Sequence, residues 1–373
     1  MSYGMHHMNI MIINSCLSHG GVEKQIFYLL EHLYKKGLLC NLVTYQSENP
    51  SYNILLPDGV SHRKISFTFY NRKGFFKILF FPIWVLRLIS FCLKNKVKLI
   101  HSWGPFDNIA GSFVSLILGI PHIASVRSIN KWAFKGLSIW GKVAKKIVSN
   151  SLSAKNILVD KNVQPEKIEV INNGVDLNNF KYNKKNINSD FIFLCIGRIS
   201  PVKNQLTLLE AFYELVSLKN YKNMFMVLCG KIENEDYYNK ILNFIEKKKL
   251  SSYVEVLPYV KDVVSLYNRA SCVVLPSFAE GTPNVILESM ALGVPWIASP
   301  VSDIPMLSGD EKRGLLFSSL DKKGVMEGLI RISSHYNEKM LLDARKYIEE
   351  NFSMDKMVER FISLYDEVVF ESQ

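Results

Sequence analysis

The sequence predicts an α/β fold made of two doubly wound parallel sheets in tandem. Three observations lead there. Short, nearly continuous apolar runs alternate with helix-length segments of 3.6-residue apolar spacing, the pattern of parallel strands covered on both faces by helices. The 373 residues suit two domains. A polar stretch rich in Asn and Lys, NNFKYNKKNINSD at 178–190, has no apolar period and supplies the boundary.

In the first half, NIMIINSC, LCNLVTY, VKLIHSW and HIASV read as strands, with EKQIFYLLEHLYKK as the helix between the first two. The segment NRKGFFKILFFPIWVLRLISFCLKNKVK, residues 71–98, is less ordinary. From Phe75 to Leu93 it is apolar nearly all round, interrupted by Lys77, Pro82 and Arg87. Its length suits a membrane span, but the charges and the proline weigh against one, and a parallel sheet needs a crossover helix here. Two readings stay open: a core helix, and an interfacial helix whose flanks Arg72, Lys73, Lys94, Lys96 and Lys98 meet anionic lipid. In the second half, FIFLCIG, MFMVLCG, VEVLPY, CVVLPS and PWIAS read as strands, and NQLTLLEAFYELVSL, YYNKILNFIEKKK and KDVVSLYNRA as helices. The tail NFSMDKMVERFISLYDEVVF is amphipathic and can pack on either domain, including back on the first. The expected organisation is a first domain over 1–180, a second over 190–350, and a terminal helix over 351–373, with no internal repeat.

Composition fits a globular protein with a real core, at 48% hydrophobic and 21% charged residues. The six cysteines form no C-x-x-C and sit largely in apolar runs, which reads as reduced core cysteine in a cytosolic protein. The start, MSYGMHHMNIMIIN, lacks the parts of a signal peptide, and His6-His7 reads as a tail before the first strand. Charge is unevenly shared. Up to Lys185 there are 24 Lys and Arg against 9 Asp and Glu; beyond it, 21 against 25. The first half is therefore the part that suits a polyanionic surface, with lipid headgroups, nucleic acid or an anionic acceptor as candidates. No recognised nucleic-acid-binding module accompanies the charge.

Three stretches carry the chemistry. FAEGTPNVILESMALGVP, residues 278–295, lies between a strand and the next strand, so it is the loop and helix of a βαβ unit. Thr282 suits an N-cap, Pro283 the first helical position and Gly293 the C-terminal end. Helix starts at the carboxyl ends of strands are where open α/β sheets bind ligands, and their free amides suit anions or hydroxyl oxygens. Glu280 precedes those amides and Glu288 lies inside the helix, a pair that suits a polyhydroxylated ligand carrying phosphate; two solvated glutamates at an ordinary helix start is the plainer alternative. In CIGRISPVKNQ, residues 195–205, Arg198 and Lys203 sit between a strand and a helix, where two cations suit a diphosphate. In LSHGGVEKQ, residues 17–25, Gly20 and Gly21 allow close backbone approach or simply a tight turn. This is not G-x-G-x-x-G, so a nicotinamide-dependent oxidoreductase is disfavoured.

Taken together, GGVE, NNGVD at 172–176, GRISPVKN at 197–204 and EGTPNVILE followed by SMALGVPWIAS resemble the retaining glycosyltransferases of family 4, which have the GT-B fold of two Rossmann-like domains facing a cleft. The pattern spans almost the whole chain in the family's order. The resemblance implies that Arg198 and Lys203 hold the donor's diphosphate, that Glu280 binds the transferred sugar and that Glu288 binds the ribose. It implies that the amides of Gly281, Thr282, Pro283 and Asn284 lie at the sugar or phosphate, Pro283 contributing backbone only, and that Gly20 and Gly21 approach the diphosphate from the other domain. Glu280, Arg198 and Lys203 are the catalytic candidates. VEVLPYVKD resembles the base-contacting stretch, with Val260 as its contact and Pro258 where glycine is usual. Many relatives carry a histidine after the strand HIASV; here SVRS puts Arg127 there, and His101 is a second acceptor-side candidate, although a strand-end histidine is commonly structural. Where the family often has G-G-x-x-E, this chain has SDIPML.

The expected function is transfer of a hexosyl or N-acetylhexosaminyl group from a nucleotide-diphosphate sugar to a hydroxyl of a lipid-linked glycan in cell-surface polysaccharide assembly. The resemblance implies retention, no cofactor and no metal, and the sequence contains no D-x-D. The basic first half suggests a cytoplasmic enzyme on the inner face of the cell membrane, with no nucleic-acid partner. The alternatives are a sugar-nucleotide epimerase on the same fold and a non-catalytic scaffold that binds the nucleotide sugar.

Overall fold

A computed structural model describes residues 8–15, 21–45, 60–67, 75–127, 131–183, 190–218, 221 and 223–371, with the side chains of 75–79, 131–133 and 135 outside the description. The chain divides into two compact units. One comprises Met1–Gly174 with Met354–Gln373, and the other Val175–Ser353. The division falls just ahead of the polar stretch at 178–190, of which 184–189 lie outside the described residues.

In the first unit, strands β1 (Asn9–Asn14), β2 (Leu39–Thr44), β3 (Ser61–Lys64), β4 (Leu99–Ser102), β5 (His122–Val126), β6 (Lys146–Ser149) and β7 (Ile168–Val170) form one sheet in the order β3-β2-β1-β4-β5-β6-β7. Every pairing is parallel. The order runs outward from β1 to β3 and then returns to β4, so the switch point lies between β1 and β4. Helices α1 (Gly21–Lys35), α2 (Phe75–Lys94), α3 (Pro105–Leu118), α4 (Lys131–Trp140) and α5 (Leu152–Asp160) supply the crossovers. Because side chains alternate across a strand, Ile10 and Ile12 join a core with α1, whereas Met11 and Ile13 join a core with α2 and α3.

The second unit holds β8 (Phe191–Ile196), β9 (Met224–Cys229), β10 (Val254–Leu257), β11 (Cys272–Leu275), β12 (Trp296–Ala298) and β13 (Leu315–Leu316), in the order β10-β9-β8-β11-β12-β13, again all parallel. Its switch point lies between β8 and β11. Helices α6 (Gln205–Ser217), α7 (Glu235–Lys247) and α11 (Lys322–Ser334) pack on Phe193, Met226 and Leu228. On the other face α8 (Val263–Arg269), α9 (Asn284–Leu292), α10 (Ile304–Ser308) and α12 (Glu338–Asn351) pack on Leu194, Val227 and Val273. The last helix, α13 (Met354–Phe370), belongs to the first unit, where Met357, Phe361, Leu364 and Tyr365 join the core that holds α1.

Four strands escape the sequence reading: β3, β6, β7 and β13. The last three hold two to four residues, too few for a period to register, and β3 is Ser-His-Arg-Lys, a polar strand at the open edge of its sheet. Helix α2 runs continuously through Pro82. One side buries Trp84, Val85, Leu88 and Cys92 in the core, and Trp84 Nε1 donates to the Ile65 carbonyl at 2.9 Å. The other side leaves Ile83, Leu86 and Leu93 exposed. Among the described residues no helix is long and apolar enough to cross a membrane. Arg72 and Lys73 lie outside the described residues. Cys40, Cys92, Cys195, Cys229 and Cys272 are buried free thiols, and burial pushes Cys40 up to about 12.

Candidate active site

The second unit gathers its candidates at the carboxyl ends of β8, β10 and β11, beside the switch point. Strand β8 ends against β9: Gly197 N–H donates to the Cys229 carbonyl at 2.9 Å. A Cβ on Gly230 would collide with the Gly197 carbonyl, so only glycine permits this approach. The chain then makes a 3₁₀ turn over Pro201–Lys203 and a left-handed step at Asn204 before α6 begins. Gln205 Nε2 donates to the Arg198 carbonyl at 2.9 Å and pins this loop. Across the switch point Phe278 N–H donates to the Val202 carbonyl at 2.8 Å, joining the loop after β11 to the loop after β8.

That seam brings Lys203 and Glu280 together. Lys203 Nζ lies 2.5 Å from Glu280 Oε1, with the two side chains only 15% and 9% exposed. The Ser302 hydroxyl, in the loop after β12, donates to the Glu280 carbonyl. Helix α9 starts at Asn284, with Pro283 rather than Thr282 in the capping position. The expected Thr282 cap is therefore corrected: its hydroxyl donates to Asp303 Oδ2 at 3.4 Å, and Pro283 in the capping position offers no side-chain acceptor. Gly293 ends the helix at φ 74°, as its position in the sequence suggests.

Glu288 is buried one turn into α9, where its Oε2 accepts a 2.8 Å hydrogen bond from the Tyr267 hydroxyl of α8. Burial first, and then the adjacent Glu288 charge, hold the Tyr267 phenol well above its usual range, so it stays a donor. Arg198 is 62% exposed and paired with Glu233, which follows β9. Val260, after β10, is half-buried. Sequence reading missed Glu233 and Tyr267, and marked Ser302 and Asp303 only as the start of SDIPML. Glu233 could have been found as the first of the three acids in GKIENED after a predicted strand. Tyr267 reads as an ordinary apolar position of a helix and gives no signal.

The first unit's candidates separate. Gly20 lies outside the described residues, and Gly21 is the exposed first residue of α1. His101, one acceptor-side candidate, is a core residue. It is fully buried in β4, with Nδ1 2.7 Å from the Tyr365 hydroxyl and Nε2 2.8 Å from the Ser125 hydroxyl. Both ring nitrogens are thus occupied, and burial pushes the imidazole well below its usual range, with Arg127 adding to the shift. Arg127, at the end of β5, stacks 4.0 Å above the Trp103 ring and donates from Nη1 to Asn173 Oδ1 at 3.3 Å. Its Nε and Nη2 are sealed from solvent without partners among the described residues. Burial lowers the guanidinium to about 9, which leaves it charged at neutral pH. The NNGVD stretch is clamped by α1: the Gln25 amide exchanges two 2.9 Å hydrogen bonds with the backbone of Gly174. Among the described residues no three His, Cys, Asp or Glu side chains gather to hold a metal ion.

Two Rossmann-like units, one with paired charges at its switch point, define the GT-B class of glycosyltransferases. The model of Glycosyltransferase Family 4 matches residues 19–179 and that of Glycosyl transferases group 1 matches 178–351, and the chain belongs to the family 4 glycosyltransferases. A UDP-Gal:alpha-D-GlcNAc-diphosphoundecaprenol alpha-1,3-galactosyltransferase of Escherichia coli is 26% identical over 313 residues, covering 76% of this chain and 79% of that protein. The capsular polysaccharide biosynthesis glycosyltransferase CapM of Staphylococcus aureus is 26% identical, covering 78% and 82%. Among solved structures, a glycosyltransferase from Rickettsia africae superposes with a TM-score of 0.82 at 19% identity, covering 97% of this chain and 98% of that one. Anabaena HepE in complex with UDP and glucose gives 0.81 at 17%, covering 97% and 100%.

Proposed function

We propose that this glycosyltransferase moves a sugar from a nucleoside diphosphate sugar to a hydroxyl of a lipid-linked glycan, with retention and without a metal. The setting would be cell-surface polysaccharide assembly on the inner face of the membrane. The observation that carries the reading is the shielded Lys203–Glu280 pair at the β8/β11 switch point, beside the N-terminus of α9. Such a place offers charge for a diphosphate, a carboxylate for sugar hydroxyls and the positive end of a helix for developing anionic oxygen.

In this reading the donor's diphosphate takes Lys203 and draws Arg198 away from Glu233. Glu280, released from Lys203, accepts hydrogen bonds from the sugar. Glu288, oriented by Tyr267, accepts them from the ribose, and Val260 borders the base. The bond from the anomeric carbon to the diphosphate oxygen breaks, and its electron pair leaves with the diphosphate. Lys203, Arg198 and the amides of Gly281, Thr282 and Asn284 offset that charge, which is why no divalent ion is needed. The acceptor hydroxyl attacks from the face just vacated and gives its proton to a diphosphate oxygen. Arg127 is the acceptor-side candidate of the first unit. UDP is the first nucleotide to try, because relatives and fold neighbours are described with it. The membrane part of the reading is supported by the basic first half and by the outward face of α2.

A thermal-shift screen against UDP, GDP, ADP, TDP and CMP and their sugars tests the donor site. A nucleotide at a hundred times its Kd adds about 2.7 kcal/mol, and Lys203→Ala and Glu288→Ala remove the shift. If no nucleotide stabilises the wild type, or both variants respond as it does, the assignment fails. Retention is read separately from the anomeric configuration of the product.

A further inference from the structure

A groove of about 630 Å³ lies at the open edge of the first sheet, between β3 and the second half of α2. Its walls carry Arg63 and Lys64 from β3, Arg87 and Lys94 from α2, and the hydroxyls of Ser66 and Ser90. Among the described residues no acidic side chain lines it. Among the described residues none of these four cations is ion-paired, whereas Arg269 pairs with Glu255 and Arg331 with Glu311. Charged side chains on an edge strand guard against strand-to-strand pairing. That accounts for Arg63 and Lys64 but not for Arg87 and Lys94.

Helix geometry supplies the second observation. Arg87, Ser90 and Lys94 recur at three and four residues and so form one stripe. Leu86 and Leu93, seven residues apart, form a neighbouring stripe, 63% and 64% exposed, and Ile83 lies one turn ahead of Arg87. A basic groove and an apolar strip thus run side by side along one helix. We infer that the β3–α2 groove receives the phosphate of an anionic phospholipid headgroup while the Leu86 and Leu93 strip enters the interfacial layer beside it. Charge alone would suit any phosphate. The adjoining apolar strip is what selects a lipid surface. This inference rests on the membrane part of the reading above and assigns it a site; it is independent of the donor site.

The test is flotation of the full chain with vesicles of phosphatidylglycerol or of phosphatidylcholine. The variants are Arg63→Ser/Arg87→Ser in the groove, Leu86→Ser on the strip, and Lys240→Ser/Lys247→Ser on α7 as a control of equal charge change. All these positions are exposed, and circular dichroism checks folding. The expected result is wild-type binding to phosphatidylglycerol only, about twentyfold weaker in the groove variant, weaker in Leu86→Ser and unchanged in the control. Equal weakening in groove variant and control would overturn the groove while leaving membrane docking standing. Wild type that floats with neither vesicle would overturn both. Stabilisation by inorganic phosphate that requires Arg63 and Arg87, without flotation, would replace the lipid with a free phosphate.

Discussion

Lys203 and Glu280 neutralise each other at 2.5 Å in a place nearly closed to solvent, so in the donor site proposed above a diphosphate would compete with the carboxylate for the lysine. Glu280→Gln is therefore expected to bind a nucleoside diphosphate at least as tightly as the wild type, by calorimetry, while initial-rate assays show turnover reduced about 100-fold through loss of the sugar contact. A parallel loss of both would place Glu280 in nucleotide binding instead. Elsewhere, buried titratable groups set a pH window. His101 and His122 are held neutral by burial, His122 down to about 3 from 6.5. Folding thus requires deprotonated rings; their stability is full above about 6.5 and is lost as pH falls toward 3. Asp107 runs the other way. Burial raises its carboxyl from 3.8 to about 7, so its penalty appears as pH rises through that interval. Melting temperature against pH should therefore fall on the acid side below about 6.5, and Asp107→Asn should lessen the decline between pH 5 and 8. A wild-type profile flat from pH 4 to 8 would contradict both assignments.

Helix α9 shows what an element needs from its ends. Gly293 adopts a left-handed conformation, and a Cβ there would also strike the Tyr182 ring. Gly293→Ala is expected to cost about 1–2 kcal/mol, read as a lower denaturant midpoint with unchanged slope. This stop was legible in the sequence because glycine after an apolar helical run has one usual meaning. The start was not. Pro283 took the capping position, and Thr282 found Asp303, a residue 21 positions on that no local pattern announces. The same division holds across the site. Arg198, Lys203 and Glu280 stand in loops bounded by strong strand and helix signals, and Glu288 in the helix that follows, so their placement at the carboxyl ends of one sheet could be read. Their partners Glu233 and Tyr267 come from other crossovers, and only the folded sheet sets them beside those residues. Likewise, apolar strands could be counted, but the polar edge strand β3 could not, because its ladder to β2 carries it rather than its side chains.

At the scale of the molecule, the sequence left the destination of the terminal helix open, since amphipathic spacing shows that a face is buried and not against what. The structure places α13 on the first unit, with Phe361 and Tyr365 around His101 and Trp103. Truncation after Ser353 would strip these rings from the core. In calorimetry the truncated chain should lose the first unit's cooperative transition, while the second unit still melts and still responds to nucleotide. The chain crosses from unit to unit twice, at Gly174–Val175 and at Ser353–Met354, and a bridge between Val175 and Ser353 sets the two crossings side by side. The order of manufacture follows from this. On the ribosome the opening 174 residues emerge early yet must wait for the final 20 before their core is sealed, whereas the stretch made between them can finish first. The half of the enzyme that is translated first is thus the half that matures last, and it is the half a chaperone would need to shelter.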